Sequence, residues 1–291
     1  LMLCGDTFLT RLPDPVLQQM ENFNDPTCGV NDAFKPVCRY WDRITHPAQI
    51  IQSLPNAIAI MLDPADCGPT FLGLPQDVQG WAYDFPTVFF EKKIHRVRRQ
   101  SPDISEINDA VNSLQSAKRP MIIAGGGVQY SKATEQLKNF AEKHQIPVVE
   151  TIAGRANFKN EHPLNIGPIG VTGSDSANHI AENADVIIAI GTRLQDFTTG
   201  SWTAFALDAK FISLNAGRHD AVKHMALSVV GDAKLSIDLL SENLNYVSPS
   251  NWVQLAQDER VKWDKYVAEN VSAGNQPNSY AQAIGVVNDH C

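Results

Sequence analysis

The stretch Arg119–Tyr130, RPMIIAGGGVQY, constrains the fold of this 291-residue chain more than any other. Its apolar run, Met121 to Ala124, leads straight into Gly125, Gly126 and Gly127. A short apolar run between a proline and glycines fits a strand buried on both faces, as in a parallel sheet. The glycines permit positive φ and the close approach of another backbone or of a phosphate. A helix is predicted next, with Ser131 as its cap, Glu135 in its first turn, and Ala133, Leu137, Phe140 and Ala141 on one face. Such a strand, glycine turn and helix can hold a nucleotide at the helix N-terminus, or can simply pack a helix tightly on a sheet. The stretch alone leaves both readings open.

The same alternation continues on either side. Ile104, Ile107, Val111 and Leu114 have helical spacing, and strands are predicted at Ile146–Glu150, Val186–Ile190, Phe211–Leu214 and Leu227–Val230. Short helices are predicted at Ser176–Asn183 and after Asp232. GRANF and HPLNIGPIGVTG, between Gly154 and Gly173, read as one long loop. Strands alternating with helices give an α/β fold with a doubly wound parallel sheet. Asn251–Asn270 predicts a further helix, and Ser272–Ser279 a polar break. Ahead of this region, strands are predicted at Leu1–Cys4 and Gly68–Pro75, and a short helix at Asp14–Met20. Pro36–Ile44 reads as irregular or strand-like. Pro47–Leu62 has helical spacing that Pro55 should kink or divide.

Gln79–Ser101 reads as a connector carrying a basic run of Lys92, Lys93, His95, Arg96, Arg98 and Arg99. In a chain of net charge −8 a solvated connector is favoured over nucleic-acid contact, so no nucleic-acid partner is expected. No apolar run approaches the ~20 residues of a membrane span. The five cysteines are scattered, without a CxxC pair, which suits reduced thiols and a cytoplasmic location. Leu1 stands inside an apolar run and Cys291 inside a helical pattern. An internal piece of a longer polypeptide is expected.

Several chemistries lack their residues. A dinucleotide fingerprint needs three spaced glycines and an acid ending the second strand. Gly125, Gly127 and Glu150 fit, but Tyr130 stands at the third glycine position. Neither a Gly-x-x-x-x-Gly-Lys-Ser/Thr loop nor a Gly-x-Ser-x-Gly elbow is present. His219 and His224 have no cysteine or carboxylate partner at metal spacing, so no metal ligands are assigned. Gly125, Gly126, Gly127, Arg155, Arg193 and Asn215 are predicted at one edge of the sheet, as a candidate nucleotide crevice. Phosphate binding and structural ion pairing by its arginines both stay open.

Several stretches resemble the thiamine-diphosphate (ThDP) enzymes. GPTFLGLPQDVQ (68–79) is similar to the closing strand of their pyrimidine-binding domain. RPMIIAGGGV, TIAGR and IGTRLQDFTTG are similar to the central domain of the acetohydroxyacid synthase-like branch, a DHS-like fold of the NAD/FAD-binding type. NDAFKPVCRYWDRI (31–44), HPLNIGPIGVTG (162–173) and LNAGRHDAVKH (214–224) resemble the members of myo-inositol catabolism that open a trihydroxycyclohexanedione ring to 5-deoxyglucuronate.

The resemblance implies four segments: 1–80, the C-terminal part of the pyrimidine domain; 81–101, a linker; 102–247, the central domain; and 248–291, a linker helix and the start of the diphosphate domain. It implies ThDP and Mg2+ as cofactors, a cyclic polyol 1,2-diketone as substrate, and a homo-oligomer of at least two copies. The cofactor adds to a ketone carbonyl and takes up the electron pair left when the adjacent C–C bond breaks. The activating glutamate and the metal-binding segment would lie outside the chain; Glu21, in LQQMENF, lacks the glutamate's motif. Asn31, Asp32 and Phe34 would form a substrate-side loop, against the alternative that Asn31 and Asp32 only make a turn. Flavin-binding relatives have Gly-Lys-Gly near the Arg155 position and Asp-Asp-Arg after the Arg193 position. GRA and LQDFTTG stand there instead, so no FAD is expected. The alternatives are another acetohydroxyacid synthase-like ThDP enzyme, a nucleotide-binding oxidoreductase domain, and a non-catalytic scaffold.

Overall fold

A computed structural model describes residues 1–10, 24–272 and 279–290. The helix expected at Asp14–Met20, Glu21 and most of the polar break at 272–279 lie outside the described residues. The chain divides into two compact units, Leu1–Arg99 and Gln100–Cys291. Among the described residues, no helix is long and apolar enough to cross a membrane, and Cys4, Cys28, Cys38 and Cys67 are free thiols.

The first unit is built on a three-stranded parallel sheet of β1 (Met2–Asp6), β2 (Tyr40–Arg43) and β3 (Thr70–Pro75), in the order β1-β3-β2. Helix α1 (Ile50–Met61) packs on β3, and Ile44, Leu72 and Val78 form the core with Ile50 and Leu54 against them. The helix runs unbroken through Pro55. A proline there removes one backbone donor, while Ala57, two residues on, is buried. The run Pro36–Ile44, expected to be irregular or strand-like, holds the end of a 3-10 turn, Val30–Val37, and then β2.

The second unit begins with α2 (Ile104–Gln115), β4 (Pro120–Ala124), α3 (Gly126–Tyr130), α4 (Thr134–His144), β5 (Val148–Glu150) and β6 (Asn165–Pro168). It continues with α5 (Asp175–Asn183), β7 (Val186–Ile190), α6 (Asp196–Thr199), β8 (Lys210–Asn215), α7 (Arg218–Ala221) and β9 (Leu227–Val230). Helices α8 (Ala233–Asn243), α9 (Ser250–Val271) and α10 (Tyr280–His290) close it. All six strands are parallel, in the order β6-β5-β4-β7-β8-β9. Alternate residues of each strand feed opposite faces. Ile122, Ile188 and Ile212 pack under α2, α4 and α8, while Met121, Ile123 and Ile187 pack under α5 and α9. The sheet is doubly wound, as the alternation predicts.

Two local expectations differ from the structure. The stretch read as one loop contains β6, an edge strand whose pairing with β5 slips between Val148 and Val149. Its Gly167 takes φ +110°, a conformation open to glycine, which hides the strand from any pattern of alternation. Ser131 does not start the helix after the glycines. That helix is α3, starting at Gly126; Ser131 ends it, and α4 follows after Lys132 at φ 55°.

The glycines themselves serve close approach. Gly125 is extended, at φ −103°, and a Cβ added there would lie 2.3 Å from the Gly191 carbonyl oxygen. On Gly127 it would lie 2.6 Å from the Gly191 Cα. Gly127→Ala therefore meets backbone that cannot rotate away. It should cost about 2 kcal/mol and lower the melting temperature of the second unit by roughly 4–8 °C. Gly80→Ala, whose Cβ meets nothing within 4 Å, should leave the thermal unfolding of the chain unchanged. Differential scanning calorimetry of both variants checks this.

Candidate functional site

Open parallel sheets bind ligands beyond the carboxyl ends of their strands, at the point where strand order reverses. In the second unit that point lies between β4 and β7. The loops after β4, β5, β7 and β8 bring Gly125–Gly127, Arg155, Arg193 and Asn215 to this one edge.

The edge is closed by the chain itself. The Gly125 N–H donates to the Ile190 carbonyl at 2.8 Å, and the Gly127 N–H to the Gly191 carbonyl at 2.9 Å. From the β5 side Gly154 presses in, where a Cβ would lie 2.1 Å from the Ala124 carbonyl oxygen. Asn215 braces its own loop, donating to the Thr192 carbonyl at 2.9 Å and accepting from the Gly217 N–H at 2.9 Å. The Arg155 carbonyl accepts from the Gln129 amide at 2.5 Å, and its guanidinium lies 4.0 Å from Glu150. Arg193 has an exposed side chain, and its carbonyl accepts from Lys223 at 3.4 Å.

Glu150, at the strand end where a dinucleotide fold keeps its ribose acid, turns inward. It is buried and accepts from the Phe158 N–H at 2.9 Å. Burial pushes its carboxyl above the ordinary range, against the pull of that N–H and of Arg155. His224 lies against the Trp202 ring, tilted by 34°, and no group of three or more His, Cys, Asp or Glu among the described residues could hold a metal ion. An open groove of about 630 Å3, lined by Asp175, His179, Glu182 and Ser201 among others, contains none of the candidate site residues predicted from the sequence.

The carboxyl edge of the first unit is richer. The Val30–Val37 turn places Asn31 against β1, its amide donating to the Gly5 carbonyl at 2.8 Å, while the Trp41 indole donates to the Asn31 carbonyl at 2.9 Å. Phe34 stacks on Phe71 of β3 with centroids 5.4 Å apart. Asp32 accepts from the Gly29 N–H at 2.7 Å, from Arg43 at 2.8 Å and from Lys35 at 2.6 Å. Burial works to raise its pKa, but hydrogen bonds from Lys35, Arg43 and Gly29 outweigh it and hold the carboxyl at about 2.

Arg43 also donates its Nε to Asp6 at 2.6 Å, and Asp6 is fully buried. The two residues lie on β1 and β2 and meet over β3 at Gly73, where a Cβ would stand 2.6 Å from the Asp6 carboxylate. The sequence reading missed Asp6, Arg43 and Gly73. Their signal was a charged residue closing each of two short strands, LMLCGD and YWDR.

Comparison with known proteins places these edges in context. The family described as "Thiamine pyrophosphate enzyme, central domain" matches residues 107–240, within the second unit. A "3D-(3,5/4)-trihydroxycyclohexane-1,2-dione hydrolase" of Geobacillus thermodenitrificans is 47% identical over 85% of this chain and 39% of its own length. Proteins of the same name from Clostridium perfringens and Clostridium tetani are 46% and 45% identical over 91% of this chain, and over 41% and 42% of theirs. The chain thus spans about two fifths of the length of the curated relatives it matches.

The ionised Asp32 has a consequence for acid stability. Its carboxyl titrates at about 2 in the fold, against an ordinary 3.8. A depressed carboxylate contributes stability above pH ~4, and the contribution fades as pH falls from ~4 toward ~2. Asp32→Asn removes that contribution, so the variant should melt lower than the parent at pH 6 and lose less on acidification to pH 2.5. Melting curves across this range decide it; parallel slopes for the two proteins would refute the assignment.

Proposed function

We propose that this chain, which carries a match to the thiamine pyrophosphate enzyme central domain, is part of a ThDP- and Mg2+-dependent hydrolase opening a cyclic polyol 1,2-diketone. One observation carries this reading. The 47% identity to a named trihydroxycyclohexanedione hydrolase extends over 249 residues, more than the second unit contains, so it runs through both units. Similarity limited to a shared central domain would have been confined to the second unit.

When bound, ThDP supplies an electron sink for breaking a C–C bond next to a carbonyl. The first unit supplies a substrate-side loop of Asn31, Asp32 and Phe34, with Asp32 kept ionised at neutral pH. Residues 1–80 serve as the C-terminal part of the pyrimidine domain, 81–101 as a linker, 102–247 as the central domain, and 248–291 as the approach to the diphosphate domain. The activating glutamate and the octahedral oxygen shell that Mg2+ requires come from segments beyond this chain. The whole enzyme is a cytoplasmic homo-oligomer of at least two copies.

The crevice formed by Gly125, Gly126, Gly127, Arg155, Arg193 and Asn215 is vestigial and holds no FAD. Support comes from the Gly127 N–H, committed to Gly191, and from Glu150, turned inward. The strand order is that of dinucleotide-binding folds and favours a nucleotide-binding oxidoreductase domain as the second reading. The same two features count against it.

Two measurements test these readings. Calorimetric titration of this chain with ThDP and Mg2+ should give no saturable heat at micromolar cofactor, while a longer polypeptide containing it should bind ThDP and open the diketone ring. Saturable binding by the chain alone would mean that the cofactor site lies within it. The longer protein should purify colourless; a stoichiometric yellow chromophore would overturn the vestigial crevice.

A further inference from the structure

We propose that Arg43 is a positioning residue for the reaction, fixing the Val30–Val37 turn against the sheet so that Phe34 and Lys35 hold one placement over Phe71 and Trp41. The proposal rests on the reading of that turn as the substrate-side loop.

Arg43 cannot move without leaving a buried charge alone. Its Nε is held at 2.6 Å by Asp6, which is inaccessible to solvent and belongs to the strand at the far side of β3. Asp6 is itself oriented, because its other oxygen accepts from the Thr7 N–H at 2.8 Å. Gly73 supplies the gap in which the two side chains meet. With one nitrogen so fixed, the planar guanidinium has its other direction determined: Nη2 points at Asp32 and meets it at 2.8 Å. The fork of an arginine serves two carboxylates on different elements; a lysine ammonium offers no such rigid geometry.

Asp32 passes the constraint on. The oxygen that accepts from Arg43 also accepts from the Gly29 N–H, which ties the start of the turn; the other accepts from Lys35, near its end. Lys35 rests 4.4 Å over the Trp41 ring, and Arg43 stands 5.0 Å from the same ring. The remaining anchors described above, the Asn31 and Trp41 hydrogen bonds and the stack of Phe34 on Phe71, are uncharged. A buried ion pair gains little stability over well-packed apolar groups, whereas it enforces geometry. Geometry is the contribution assigned to Arg43.

The test has two arms. Asp6→Asn combined with Arg43→Met removes both charges of the pair together, so the buried carboxylate is not stranded; Arg43→Lys keeps the charge and loses the fork. In this chain without cofactor, amide hydrogen exchange should be at least about tenfold faster at Gly29 and Asp32 in the double variant, with β3 amides unchanged. In the longer protein, the double variant should lose at least about tenfold in kcat, with KM and ThDP affinity within about twofold. Arg43→Lys should fail to restore kcat. Unchanged exchange at the turn, or a kcat within twofold of the parent, would overturn the proposal. So would unfolding of both variants, which would make Arg43 a folding element only. A parent protein that does not open the ring would instead refute the proposed function, and the exchange arm would still judge Arg43's hold on the turn.

Discussion

The second unit depends on how closely two backbones can approach at the point where strand order reverses. Strands β4 and β7 are neighbours, and the chain leaves both at the same edge. A side chain on Gly125 or Gly127 would stand within 3 Å of Gly191. Gly191, at φ +59°, turns under α3 and accepts the Gly127 N–H. Because the glycines are bare, this contact draws α3 down onto the sheet and extends the backbone ladder past the strand ends. The cost is the loss of the first-turn donor that a phosphate would have used.

The same principle acts with charge in the first unit. Gly73 leaves room over the middle strand, and the space is filled by an ion pair between its two neighbours. Burying Asp6 against a half-buried Arg43 is unfavourable by itself. It becomes tolerable because every partner is supplied by an element held elsewhere: β1, β2 and the turn. Glycine thus decides what each sheet edge becomes. In one unit a missing Cβ lets backbone close the edge. In the other it lets charged side chains assemble there.

The comparisons with known proteins divide along the same contrast. The central-domain match covers the unit whose edge is closed, while the similarity to the named hydrolases continues into the unit whose edge carries organised charge.

The sequence by itself determined the α/β class and most of the elements. Burial on both faces forces unbroken apolar runs such as Met121–Ala124 and Val186–Ile190, and helix faces repeat at three and four residues; both are local patterns. It also placed Gly125–Gly127, Arg155, Arg193 and Asn215 at one edge, because parallel strands all end on the same side. It could not show β6, whose glycine and bulge erase alternation. Nor could it show that the glycines receive a neighbouring backbone. Only the tertiary structure decided what faces them, since Gly127 and Gly191 are far apart along the chain. The tie from Asp6 through Arg43 to Asp32 was hidden for the same reason. A charged residue at a strand end looks solvated in sequence, and it is the neighbouring strands, paired through the whole sheet, that bury it and supply its partner.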